Sequence, residues 1–214
     1  TKDSVYSSSN LLNKFFKPLN TEQRNFMDKI SKKYTFQKIE GYLKTLKNLN
    51  PLLVGETIID QYIFCEALGK SGKDPVMMFH HKKTEQYLGG AAAIANNISS
   101  FCDSVSLYSM IGSKLDNINF IKKNLEKNVK FKYIEKKNSP TIIKKKFIDL
   151  ISNNKLFGVY EIEDENLNEK DEKKVNNLLS KNLSKFDLIV LSDYGHGFIT
   201  EKIIKKICNK SRFL

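Results

Sequence analysis

The sequence lacks the features that mark several classes of protein. No run approaches the roughly 18 apolar residues that a membrane-spanning helix needs, and the N-terminal residues do not form the apolar core of a signal peptide. Its three cysteines, Cys65, Cys102 and Cys208, are far apart with no C-x-x-C spacing, which argues against a disulfide framework and a zinc site. We therefore expect a cytoplasmic protein without a membrane partner or a metal site of its own.

A long basic block is also missing. The 214 residues carry a net charge of +12, but the lysines occur in scattered pairs such as Lys82-Lys83, Lys122-Lys123 and Lys205-Lys206. A clustered positive face would favour nucleic-acid binding, whereas scattered lysines are typical of a solvated surface. We therefore expect no nucleic-acid partner, and a basic nucleic-acid-binding protein stands as an alternative class.

The spacing of apolar residues predicts an α/β fold. Residues 17–50 are typical of two linker helices, and Asn20 with Gln23 resembles a capping box. From Pro51 onward strands alternate with helices, which indicates a parallel sheet with crossover helices, and the early strands with a later hairpin predict a small extra sheet. The predicted strands are 52–55, 57–64, 76–79, 105–111, 129–134, 141–150, 155–162 and 186–191, and the predicted helices after Pro51 are 91–101, 117–126 and 168–183.

A paired glycine, Gly89-Gly90, runs directly into an alanine-rich helical pattern. Glycine lets a ligand approach the backbone closely, and the start of the helix offers unpaired N–H groups and the positive end of the helix dipole. The pair therefore predicts a site for an anion or a sugar. The alternative is an ordinary turn before a core helix.

Two aspartates map to the ends of predicted strands. Ligands of a parallel sheet bind beyond the carboxyl ends of the strands, and the sequence places Asp60 and Asp193 there. A carboxylate with no cationic neighbour in sequence can accept hydrogen bonds from sugar hydroxyls. A helix-capping or turn role is the alternative for each.

Five short segments follow one another in a recognisable order between residues 51 and 214. They are VGETIIDQY at 54–62, DPV at 74–76, GGAA at 89–92, SPT at 139–141 and LSDYGHG at 191–197. Together they resemble the PfkB/ribokinase family of carbohydrate kinases, and more narrowly the kinases that phosphorylate heptose 7-phosphate in ADP-heptose synthesis. The resemblance implies a ribokinase-like parallel sheet flanked by helices, with a small β-sheet lid over the sugar site.

The resemblance also implies an activity and a set of substrate-binding residues. The activity is ATP-dependent phosphorylation of a sugar or sugar phosphate with Mg²⁺, in a protein that can form a homodimer through its lid strands. Lys144 would meet the substrate's phosphate, and a surface lysine in the run 144–146 is the alternative. The residues implied to hold the sugar are Asp60, Gly89, Gly90 and Asp193.

The sequence departs from the family at two positions. The asparagine that usually contacts the sugar corresponds to Ala93, so Asn97, further along the helix, is included as a candidate substrate-binding residue. The lysine usually found between the two glycines of the last segment is replaced by His196. Both departures leave the identity of the sugar open.

The family's Gly-Ala-Gly-Asp loop, which carries the catalytic base and an anion hole, does not occur in the 214 residues. We therefore expect the sequence to be a fragment that holds the sugar half of the site and no catalytic residue. The base and most ATP- and Mg²⁺-binding groups would lie beyond Leu214, where Phe213-Leu214 resembles the start of a further strand. The 214 residues alone are then expected not to phosphorylate a sugar.

Residues 1–16 are similar to the last strand and helix of cytidylyltransferase-type nucleotidyltransferases. The predicted organisation is therefore 1–16 as the end of such a domain, 17–50 as a helical linker, and 51–214 as the N-terminal part of a kinase domain. A non-catalytic sugar-binding or scaffold module with the same fold is the alternative function.

Overall fold

The structure is a computed structural model that describes residues 19–113, 117–210 and 213. The strand and helix predicted within residues 1–16 lie outside the described residues. The chain divides into two compact units, of which the first ends at Thr45 and the second begins at Leu46.

The first unit contains the two predicted linker helices, α1 (Thr21–Lys33) and α2 (Phe36–Thr45). The capping box is confirmed: the Gln23 amide donates to the Asn20 side chain over 2.8 Å, and the Asn20 amide donates to the Gln23 side chain over 2.9 Å. These two bonds satisfy amides that the first turn of a helix leaves unpaired. Neither helix has a buried residue, so both present their apolar side chains at the surface.

The second unit is built on a parallel sheet of four strands in the order β5-β4-β1-β8. All three pairings are parallel, and every residue of β1 and β4 is buried, as expected for continuous apolar strands covered on both faces. The Ile189 amide on β8 also donates to the Phe213 carbonyl over 3.0 Å. The strands are β1 (Pro51–Gly55), β4 (Val105–Gly112), β5 (Val129–Lys136) and β8 (Leu188–Ser192).

Helices cover both faces of this sheet. Leu53 and Leu107 pack with the alanines of helix α3 on one side, whereas Leu52 packs on the other side with apolar residues of α5 and α6. Alternate strand residues thus enter opposite layers, which confirms the predicted α/β class. The helices are α3 (Gly90–Ser99), α4 (Ile118–Asn124), α5 (Glu169–Asn182) and α6 (Glu201–Lys210).

A second sheet of four strands, the lid sheet, has the order β3-β2-β6-β7. The predicted hairpin between β6 and β7 is confirmed, and its turn contains Asn153 with φ of 56°. β2 and β3 are longer than predicted, because their antiparallel pairing continues through polar residues that show no apolar alternation. The lid strands are β2 (Thr57–Lys70), β3 (Met77–Gly89), β6 (Ile142–Asp149) and β7 (Lys155–Glu161).

The lid sheet is anchored to the parallel sheet at one end. Ile59 and Ile143 of the lid pack with Ile111 and Ile121 in a small apolar cluster. The chain also passes from β1 into β2 through a single residue, Glu56. Among the residues that the structure describes, no helix has the length and apolar character needed to cross a membrane.

Candidate sugar site

The glycine pair lies where β3 ends and α3 begins. Gly90 has φ of 56°, which favours glycine, and a side chain there would overlap the carbonyl oxygen of Glu56. A side chain on Gly89 would overlap the Asp60 carboxylate. The Ala91 amide donates to the Glu56 carbonyl over 2.8 Å. Gly90 is therefore required by the close approach of the Glu56 backbone, and Gly89 lets the Asp60 carboxylate lie at the start of the helix.

Asp60 differs from the sequence prediction in two respects. It lies inside a strand, as the fourth residue of β2, rather than beyond the carboxyl end of a strand. Its carboxylate also has a cationic neighbour in space: Lys146 Nζ donates to Asp60 Oδ1 over 2.6 Å. The two side chains are 22% and 24% exposed, so this ion pair is largely shielded from solvent.

The ion pair between Lys146 and Asp60 favours the charged form of the lysine. Burial opposes the charged form of Lys146, but the hydrogen bond and the charge of Asp60 outweigh it and raise the pKa of Lys146 above its ordinary value. The ammonium also lies 4.9 Å from the centre of the Tyr62 ring, within the range of a cation–π interaction. The Asp60 carboxylate is thus held in one orientation by a charged donor.

Asp60 opens into a cleft of about 500 Å³ on one face of the lid sheet. The rings of Tyr62 and Tyr87 meet edge to face with centres 5.9 Å apart, and the Tyr87 hydroxyl donates to Glu85 over 2.8 Å. Apolar ring faces beside a few polar groups are typical of sites for small ligands. The lining residues are Asp60, Tyr62, Phe64, Glu85, Tyr87 and Leu88.

Lys144 is the register partner of Asp60 on the neighbouring strand β6. Its ammonium lies 5.8 Å from the ring centre of Tyr160 on β7 and 5.9 Å from that of Tyr194, which follows β8. Lys144 is half-buried and reaches across from the lid to the loop after β8. Because strand residues two apart share a face, Lys146 belongs with Lys144, a signal in the sequence that the prediction did not use.

Asp193 is exposed and directly follows β8. Its Oδ1 accepts the Gly195 amide over 2.9 Å, so the turn role that the sequence left open is present in the structure. Asp193 therefore begins a tight loop, residues 193–198, at the carboxyl end of the parallel sheet. Tyr194 in the same loop meets Lys144, which places this loop beside the lid.

Glu56 holds this loop and was missed as a functional residue by the sequence reasoning. Its side chain is fully buried, and its two oxygens accept the Tyr194 amide over 3.0 Å and the Phe198 amide over 3.3 Å. The only signal in the sequence is an acid between the apolar runs of β1 and β2. A buried carboxylate needs hydrogen-bond donors, and here backbone amides supply them.

His196 points into the protein. Its side chain is 9% exposed, and Nδ1 lies 2.7 Å from Asp164 Oδ1. Within the described residues, Nε2 has no hydrogen-bond partner. The His196 carbonyl accepts a hydrogen bond of 3.3 Å from the buried Lys136, whose pKa is lowered by burial against the raising effect of nearby acids. His196, which replaces the lysine usual in the family, therefore helps to hold the loop in place.

The structure does not bring Asn97 to this cluster. Asn97 is exposed and lies seven residues after Gly90, which corresponds to roughly 10 Å along the helix axis. Its neighbour Asn96 has a structural role, since its side chain donates to the Asn124 carbonyl over 2.8 Å and accepts the Glu126 amide over 3.0 Å. Neither asparagine takes the position of Ala93.

Comparison with solved structures defines the class of the fold. The chain superposes on phosphofructokinase-2 from Escherichia coli, solved in complex with fructose-6-phosphate, with a TM-score of 0.55 and 14% identity over 78% of this chain and 54% of that chain. This likeness shows the fold: a parallel sheet flanked by helices with a small lid sheet, as in ribokinase-like carbohydrate kinases. The predicted fold is confirmed.

In sequence, the chain is a relative of proteins named bifunctional protein HldE. It is 32% identical over 167 residues to the protein of Aliarcobacter butzleri and 29% identical over 160 residues to that of a Nitratiruptor species. The matches cover 76% and 75% of this chain and, in both cases, 34% of the relative, so the chain spans about a third of their length. No family model matches the chain. The predicted resemblance is confirmed by these relatives together with the fold.

Proposed function

We propose that this chain carries the sugar-binding part of an ATP-dependent carbohydrate kinase whose substrate is a sugar phosphate of the heptose 7-phosphate type. The observation that carries the proposal is the meeting of Asp60 with the glycine pair at the start of α3. The fold and the HldE relatives support it.

The proposed site divides the recognition of the substrate between two kinds of group. Asp60 and Asp193 accept hydrogen bonds from sugar hydroxyls, and the apolar faces of Tyr62 and Tyr87 cover the ring. Lys144 supplies a positive charge for the phosphate of the substrate, which suits an ammonium held between two aromatic rings on the cleft face.

Phosphoryl transfer needs groups that these residues do not supply. The sequence has no Gly-Ala-Gly-Asp loop, and in the described part of the chain no three His, Cys, Asp or Glu side chains are grouped to hold a metal ion. We therefore assign no residue here to Mg²⁺ or to the catalytic base. In the proposed enzyme, ATP with Mg²⁺ provides the phosphoryl group, and residues outside these 214 bind both.

Calorimetric titration with heptose 7-phosphate and fructose 6-phosphate tests the proposed site. Asp60→Asn and Asp193→Asn each remove an acceptor and are expected to weaken binding by about 1–3 kcal/mol. Asp103→Asn is the matched control, because Asp103 is exposed and precedes β4 at the opposite end of the parallel sheet. Wild-type affinity in both site variants, or no binding by the parent protein, contradicts the proposal.

The role of Lys144 has its own test. Lys144→Gln should weaken binding of a sugar phosphate while leaving binding of the unphosphorylated sugar unchanged. Lys145→Gln is the control, since Lys145 lies on the other face of β6 and pairs with Glu161. An equal loss for both sugars would show that Lys144 does not contact the phosphate.

A homodimer formed through the lid is proposed as the assembly. β7 is an edge strand of the lid sheet, and its Leu156, Phe157 and Val159 are 37%, 49% and 47% exposed. An exposed apolar edge strand is a surface on which a second copy can pair. Sedimentation of the parent and of Val159→Lys decides this, because a dimer should become a monomer in the variant.

A non-catalytic binding module is the second candidate function, favoured by Ala93 and His196 at positions where the family has other residues. The two candidates differ in turnover. A natural protein that contains this sequence should phosphorylate the bound sugar phosphate with ATP if the kinase proposal is right, and should bind it without turnover if the module is right.

A further inference from the structure

Glu56 occupies the single-residue passage between the parallel sheet and the lid sheet. It is a charged side chain with no exposed surface, so it cannot contact a substrate. Burial of a carboxylate is unfavourable unless hydrogen-bond donors replace water. The residues that supply these donors therefore indicate the role of the carboxylate.

The donors belong to the loop that begins at Asp193. Tyr194 and Phe198 donate their amides to separate oxygens of Glu56, over 3.0 and 3.3 Å, so the carboxylate spans the loop from its second residue to its last. Between them, Gly195 and Gly197 have φ of 75° and 81°. These conformations favour glycine and are held here by contacts at both ends.

The opposite side of the loop is held by a buried cation. Lys136 Nζ donates to the His196 carbonyl over 3.3 Å and to the Glu163 carbonyl over 2.5 Å. The Leu167 amide donates to the Gly197 carbonyl over 3.0 Å. Two amides of the loop are thus bound to a buried anion, the His196 carbonyl is bound to a buried cation, and the Gly197 carbonyl is bound to a backbone amide, and these contacts together fix the orientation of the loop.

The backbone of Glu56 contacts the other part of the proposed site, the glycine pair at the start of α3. Its carbonyl accepts the Ala91 amide over 2.8 Å, and it lies so close to Gly90 that only glycine fits there. One residue therefore contacts the glycine-pair helix through its main chain and the Asp193 loop through its side chain.

We propose that Glu56 is a positioning residue that sets Asp193 relative to Gly89-Gly90, and that it does so as a carboxylate. The inference rests on the proposed function, because the Asp193 loop and the glycine pair are both parts of the proposed sugar site. The charge matters for a geometric reason. A carboxylate offers an acceptor to each of two diverging amides, whereas a glutamine of the same shape turns an NH₂ group toward one of them.

The test compares Glu56→Gln with Glu172→Gln. Glu172 is also a buried carboxylate, but its two oxygens accept hydrogen bonds from the side chains of Thr200 and Lys202 rather than from the amides of the loop. Glu56→Gln should weaken binding of heptose 7-phosphate or fructose 6-phosphate about tenfold. In ¹⁵N-labelled protein, the amide proton of Tyr194 or Phe198 should move upfield as a charge-assisted bond is lost. Glu172→Gln should lower the melting temperature and change neither affinity nor these two resonances.

The outcomes separate the inference from the function on which it rests. If the parent binds a sugar phosphate and Glu56→Gln binds it equally well, or if Glu172→Gln weakens binding as much, the positioning role is wrong and the site remains. If the parent binds neither probe, the proposed function fails and the inference fails with it.

A conservative variant keeps the test decisive if Glu56→Gln does not fold. Glu56→Asp retains the charge but is one methylene shorter, so it should keep one of the two amide bonds. Its affinity for the sugar phosphate should then be lower than that of the parent, and an affinity equal to that of the parent would overturn the proposal.

Discussion

The parallel sheet and the lid sheet each contain four strands but differ in burial. Every residue of β1 and β4 is buried, whereas six of the seven residues of β7 and most of β3 are exposed. The parallel sheet is covered on both faces by helices, and the lid is anchored at one end, where Ile58 and Ile142 enter one apolar cluster and Ile59 and Ile143 enter another. Buried apolar area therefore stabilises the first sheet much more than the second.

Most of the candidate binding residues lie in the less buried of the two sheets. Four candidate residues, Asp60, Gly89, Lys144 and Lys146, belong to lid strands, and the side chains of the three charged residues are partly exposed. Only Asp193 comes directly from the parallel sheet, and Glu56 connects the two. The side chains of this site keep defined positions although the sheet is weakly buried, because its strands are paired in a fixed register and a few ion pairs join their side chains.

The largest expected effect contrasts the two sheets directly. Leu107→Ala, in the centre of β4, should lower the free energy of unfolding by about 2–5 kcal/mol, because it leaves a cavity in a fully buried cluster. Leu68→Ala, at a residue of the lid strand β2 that is 65% exposed, should change it by at most about 0.5 kcal/mol. Chemical denaturation of both variants measures the difference. Similar losses would show that the lid contributes as much to the fold as the parallel sheet.

The next effect compares two glycines with positive φ. Gly69 in the lid has φ of 100° and open space around it, so Gly69→Ala should cost about 1–2 kcal/mol of backbone strain. Gly90→Ala adds an overlap with the Glu56 carbonyl and should cost more. It should also weaken sugar-phosphate binding, whereas Gly69→Ala should not. Thermal unfolding and calorimetric titration are the measurements, and a sugar affinity unchanged in Gly90→Ala would contradict the prediction.

A smaller effect concerns the helix layer of the parallel sheet. Hydrogen bonds from Lys202 and Thr200 lower the pKa of Glu172 below its ordinary value of 4.5. The unfolded chain then binds the proton more readily, so this carboxylate stabilises the fold above about pH 4.5 and loses its contribution as the pH falls through the lowered value. Glu172→Gln should be less stable than the parent by about 1–2 kcal/mol at pH 7. Denaturation at several pH values should show the two proteins converge in acid; a constant difference would mean that the charge of Glu172 is not involved.

The smallest expected effect separates the two faces of the lid. Lys146 holds Asp60 on the cleft face, and Lys145 pairs with Glu161 on the other face. Lys146→Gln releases the Asp60 carboxylate and should weaken sugar binding by about 1 kcal/mol. Lys145→Gln should leave it unchanged. Equal titrations for the two variants would show that the orientation of Asp60 does not depend on Lys146.

Much of the fold could be predicted from the sequence. The strands of the parallel sheet, helices α3, α4 and α5 and the hairpin turn at Asn153 lie close to where periodicity and turn residues indicated, whereas helix α6 was not predicted. The length of β2 and β3 could not, because segments such as His80-His81-Lys82-Lys83 have no apolar alternation. Pairing between the strands, rather than burial of either one, keeps those residues extended.

The sequence by itself determined the order of the elements and the local motifs, since these depend on residues a few positions apart. It placed Gly89-Gly90 at the start of a helix and Asp193 after a buried strand. Only the tertiary structure decided the partners: Lys146 for Asp60, Tyr194 and Phe198 for Glu56, and Asp164 for His196. These contacts join residues 32 to 142 positions apart, and the register of neighbouring strands and the packing of loops set their geometry.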